Sequence, residues 1–153
     1  MAIVETERPR ELDELELIPV LPEEPEPGPI EAGLLRAIDY LEEHGWCQGI
    51  VRSREGMVCL SGALISASGF EWDTTEFYTG WYEGRYEKQK RFSNTLHEFV
   101  TERLPEPPKV IREALSVARW QNIPRFNDWT ETTEDDVIGV LRRCVEDARR
   151  MGA

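Results

Sequence analysis

Six of the ten prolines stand within the first 30 residues, and after Pro29 the apolar residues change to helical spacing. The run "PVLPEEPEPGP" cannot hold a helix, because each proline removes a backbone donor and biases the residue before it toward extended geometry. Residues 1–30 also carry two arginines against nine acids. Such a composition suits a solvated leader. Leu15, Leu17, Ile18, Val20 and Leu21, however, are unusually apolar for a free tail, and suit an arm that docks on a partner or on its own domain. The chain therefore divides into an extended, acidic, Pro-rich arm over 1–29 and a single helical domain over 30–150.

Within the domain, "IEAGLLRAIDYLEEHG" places Leu34, Ile38 and Leu41 at i, i+4 and i+7, with Gly45 as its stop. "MVCLSGALISASG" repeats the pattern with Cys59 or Leu60, Ala63, Leu64 and Ala67. Its small surface predicts a central helix that neighbours approach closely. Phe92, Leu96, Phe99 and Val100 form a third stripe. Pro108 opens a fourth helix over "KVIREALSVARW", with Val110, Ile111, Ala114, Leu115 and Ala118 on one face. "QNIPRFNDWTETT" reads as a loop. In the last helix Thr132 or Thr133 caps ahead of Asp135 or Asp136, and Val137, Ile138, Leu141, Cys144, Val145 and Ala148 are its inner face. No alternating strand and no internal repeat is visible. The expectation is an all-α protein, a compact bundle of about five helices.

At 153 residues and 40% hydrophobic composition the chain can bury a real core. Its net charge of −12 repels phosphate backbones, which sets nucleic acid aside as a partner and favours a protein. No apolar run is long enough to span a membrane, and the N-terminus lacks the pattern of a secretory signal. The reading is cytoplasmic. Three cysteines form an odd set that does not suit a disulfide scaffold.

Chemistry concentrates at "GWCQGIVRSREGMVCLSGAL", where Cys47 and Cys59 flank a connector and His44 precedes the first by three residues. A thiol nucleophile needs a base and an orienter for that base. Cys47, His44 and Asp128 are the candidates, as a hydrolase or transferase. Cysteine is also among the most readily buried residues, and packing is the leading reading, so no catalytic residue is assigned. His44, Cys47 and Cys59 make three ligands where a closed zinc site wants four, so no metal or other cofactor is expected. Asn127 and Asp128 in "FNDWT" shape a turn through local hydrogen bonds. Beside Trp46 and Gln48 they could instead line a pocket.

The elements Gly45, Trp46, Cys47 and Gln48, then Cys59, Leu60, Gly62, Ala63 and Leu64, then Asn127 and Asp128 before Thr133 resemble a small family of uncharacterised proteins from actinobacteria and their phages. Its pattern is a Gly-Trp-Cys-Gln turn, a Cys-Leu-x-Gly-Ala-Leu helix and an Asn-Asp turn before the last helix. The resemblance covers roughly 33–68 and 120–148. It implies the fold boundaries and the biological setting and transfers no catalytic role. The arm and the aromatic middle depart from that pattern, which places specialised binding there.

In that middle, Trp72, Tyr78, Trp81, Tyr82, Arg85 and Tyr86 interleave aromatic and basic character as a protein-binding surface does, although packing into the bundle competes with that role. The leading functional expectation is a non-enzymatic phage or phage-like accessory protein that binds a host or phage factor through the acidic arm and this surface. Two others stand beside it. One is the cysteine-dependent enzyme. The other is a virion component whose arm interlocks neighbouring copies, which brings self-association with it.

Overall fold

The computed structural model describes residues 26–72, 81, 84–106 and 122–153. Residues 1–25 of the arm, the aromatic residues Tyr78 and Tyr82, and the helix expected after Pro108 lie outside these. Among the described residues are five helices: α1 (Pro29–His44), α2 (Leu60–Ala67), α3 (Glu87–Thr101), α4 (Ile123–Asp128) and α5 (Glu134–Met151). No strand occurs among them, only isolated bridges joining Val58 to Trp46 and Arg52. The molecule is an all-α bundle.

Each long helix forms where its apolar residues share a face, and α1 and α5 carry clear end signals as well. α1 starts on Pro29, whose missing N–H costs nothing in a first turn, and ends at Gly45, where φ is 92° and the N–H closes on the Leu41 carbonyl. α5 opens with a full capping box. The Thr133 hydroxyl accepts from the Asp136 N–H, and the Asp136 carboxylate accepts from the Thr133 N–H. Three acids occupy its first turn, and Arg149 and Arg150 its last, as the helix dipole favours.

The α5 stripe is Val137, Val140, Leu141, Cys144, Val145 and Ala148. Val140 takes the inner position expected of Ile138, which is half-buried. α2 buries residues nearly all round, Leu60, Gly62, Ala63, Leu64, Ile65 and Ala67, and it touches α1, α3 and α4. It is the central helix. α1 packs mainly along α5 and α2.

Two polar ties fix the helix ends. Arg36 on α1 donates to the Ala67 carbonyl at the end of α2, 3.0 Å away. Just after α3, Arg103 donates to Asp147 on α5 at 2.9 Å while its guanidinium lies over the Phe99 ring. The segment read as a loop before α5 contains α4. Asn122 accepts from the Arg125 N–H as its cap, and Pro124 sits in the first turn. That correction has a local cause, since Asn followed two residues later by Pro is itself a helix-start signal.

Candidate functional site

The connector over 45–59 folds back on Val58, which is fully buried. Cys47 N–H donates to the Val58 carbonyl, Val58 N–H to the Gly45 carbonyl and Cys59 N–H to the Val51 carbonyl, each within 3.1 Å. Gly62 lets the loop lie this close to α2. A β-carbon there would meet the Val51 carbonyl oxygen at 2.3 Å.

Asn127, 1% exposed, reaches into this loop from α4. Its Oδ1 accepts from the Trp46 indole at 2.6 Å and from the Leu60 N–H at 2.9 Å. Its Nδ2 donates to the Cys47 carbonyl and to the Asp128 carboxylate. Both donors and both acceptor positions of the amide are thereby used. Gln48 donates to the Asn127 and Trp129 carbonyls, and Asp128 also accepts from the Gly49 N–H. The structure thus brings Trp46, Gln48, Asn127 and Asp128 together as sequence spacing suggested. They form a staple between the connector and α4.

The dyad of Cys47 and His44 is not assembled among the bonds of the described residues. His44 is the last residue of α1, its ring stacked on Tyr40 one turn back at 4.1 Å and its Nε2 3.9 Å from Glu43. Past the Gly45 turn, the half-buried Cys47 thiol donates to the Ile50 and Met57 carbonyls at 3.5 Å. Burial pushes its pKa up, a hydrogen bond from the Ser53 backbone offsets part of that, and the Asp128 and Glu55 carboxylates add smaller upward pushes. This is the opposite of an activated thiolate. Asp128, the proposed orienter, is engaged in the staple.

Cys59 lies outside the α2 stripe and caps that helix, its sulfur accepting from the Gly62 N–H at 3.3 Å. Cys144 is buried on α5, and burial raises its pKa to about 11. All three thiols are free. Among the described residues no group of three metal-ligating side chains converges.

The sequence reading overlooked the pairing of Ser61 on α2 with His97 on α3. His97 Nδ1 lies 2.7 Å from the Ser93 carbonyl, which can only accept, so Nδ1 carries the proton and Nε2 accepts the Ser61 hydroxyl at 2.7 Å. Burial lowers the His97 pKa and keeps the ring neutral. Chemically it is a hydroxyl held on a neutral imidazole, here spent on joining two helices. The Ser93–His97 spacing was visible in the sequence; the partner 36 residues away was not.

In the aromatic stretch, Phe70 takes Trp72, Trp81 and Tyr86 edge-on at centroid distances of 5.1, 5.2 and 4.7 Å. Trp81, expected on a binding surface, is 5% exposed and belongs to this second core with Ile65. A large flat ring gains more from burial against Phe70 than from solvent. Trp72 and Tyr86 are half-buried beside it, Trp72 donating to the Ser66 hydroxyl and lying beneath the Arg52 guanidinium. Arg85, Lys88 and Arg91 are exposed along the margin, Arg91 paired to Glu87.

No helix among the described residues is long and apolar enough to cross a membrane. Residues 25–147 match the model of a family described as a family of unknown function, DUF6197. No curated protein and no solved structure matches the chain.

Proposed function

The chain belongs to the DUF6197 family, a family of unknown function, and we propose that it is a non-enzymatic accessory protein that acts by binding another protein. The contact is made by the acidic arm and by the half-buried Trp72 and Tyr86 with Arg85 beside them. The observation that carries this reading is the half-covered aromatic cluster around Phe70. Rings already immobilised by edge-to-face packing lose little entropy on binding, and the exposed cations at their margin supply orientation. The use of Asn127 and Cys47 as structural groups supports it as well. The setting we infer is the cytoplasm of an actinobacterial host or of the cell its phage infects, on the motif resemblance given above.

Affinity capture with the full chain tests the reading when run in parallel with Tyr86→Ala, Arg85→Glu, Cys47→Ser and a form lacking residues 1–25. A partner held by the full chain and by Cys47→Ser, and lost from the other three, is expected. Partners retained by all forms overturn it. Micromolar self-association abolished by removal of the arm would replace it with the virion-component reading.

A further inference from the structure

We propose that the outer surface of the first half of α5 is a groove that receives a basic, extended segment of a partner protein. Gly139 stands in the interior of α5, exposed, and a β-carbon built on it would meet nothing within 4 Å. Glycine is a poorer helix former than alanine, and no neighbour requires its smallness here. What it does is keep a saddle open between two depressions that share Gly139 and Asp135 as lining.

The first depression, about 400 Å³, has the buried side chains of Phe126, Thr132 and Val140 at its floor and half-buried Trp129 in its wall. The second, about 570 Å³, runs from α5 to Glu42 at the end of α1. Acids line both. The helix dipole and the capping box account for Glu134, Asp135 and Asp136. They do not account for Glu106 and Glu131, which converge on the same surface from the segment after α3 and from the turn before α5. Two arginines are present: Arg142 is paired to Glu42 at 3.3 Å in the second depression, and Arg143 lines the first, where four carboxylates outnumber it.

An apolar floor under a carboxylate rim matches a side chain with an aliphatic stem and a cationic head, and the Trp129 face adds attraction for such a cation. The first depression offers such a site, and the second, charged and without an apolar floor, continues the surface across the helix saddle, which matches a chain that crosses the helix in extended form. The arm of this protein has the wrong sign of charge to be the occupant. The proposal rests on the reading that this chain binds proteins, but on a surface separate from the arm and the aromatic cluster.

The test uses the full chain, ¹⁵N-labelled, titrated with the blocked hexapeptide Arg-Leu-Arg-Lys-Leu-Arg and with its counterpart in which glutamate replaces each basic residue. The basic peptide should move the amides of residues 129–143 and the Trp129 indole, and the acidic one should not. Gly139→Trp, which fills the saddle, and the double variant Glu131→Lys with Asp135→Lys should each weaken binding about tenfold or more. Circular dichroism checks that both variants keep their helices. Shifts centred elsewhere, equal binding of the acidic peptide, or unchanged affinity in Gly139→Trp overturn the groove. If the peptide leaves 129–143 unmoved while removal of the arm still abolishes partner capture, the groove fails and the proposed function stands.

Discussion

At the scale of single residues, Asn127 carries more of the local structure than any charged group near it. Replacing it with alanine leaves the buried Leu60 N–H and the half-buried Trp46 indole and Cys47 carbonyl without their partner. A buried orphan costs about 1–3 kcal/mol and the two that water can reach cost less, so Asn127→Ala should lower unfolding free energy by about 2–4 kcal/mol in urea melts. Cys47→Ser, at a half-buried thiol making only long bonds to carbonyls, should cost less than about 1 kcal/mol. The thiols also set a limit at high pH. The folded state holds the Cys144 proton up to about pH 11, against an ordinary value of 9.0. Between those two values the unfolded chain gives up the proton first, so stability falls as pH rises from 9 to 11, and Cys144→Ala should flatten that decline. Chemical melts at pH 8, 9.5 and 11 measure it.

At the scale of helices, the sequence carried the three long elements and most of their inner faces, Phe92 and Ile138 being half-buried where full burial was expected, because i, i+4, i+7 spacing and end signals such as Gly45 and Thr133 are local properties. α4 was missed although Asn122 and Pro124 mark its start, since six residues are too few for a hydrophobic period to show. Trp81 was misplaced because an aromatic run reads the same whether it faces solvent or a second core; only Phe70 decides. The co-location of Gln48 with Asn127 was legible, whereas the Ser61–His97 tie was not, being a contact between helices with no pattern in either. That tie predicts a pH response. The fold favours the neutral ring, so the unfolded chain binds the proton more readily, and stability is lost as pH drops below the ordinary value of 6.5. His97→Asn should remove this component from thermal melts taken between pH 5 and 7. Gly139→Ala should raise stability by up to about 1 kcal/mol, since the methyl group enters open space.

At the scale of the whole molecule, the charge of −12 is a standing repulsion that added salt relieves. The melting temperature should rise between 10 and 200 mM sodium chloride as the surface field is screened, with a Debye length near 10 Å at about 0.1 M. The Arg103–Asp147 contact, with both side chains mostly covered, is shielded from that screening, so Asp147→Asn should cost stability at either salt concentration. The Asn127 staple acts over a long reach. Trp46 and Asn127 lie 81 residues apart along the chain. A ribosome adding about 5–20 residues per second makes the amide on the order of 4–16 s after the indole it must bind. Through that interval the turn after α1 exists with its polar groups turned to water, and the first half of the protein waits, unlatched, for the second to be synthesised.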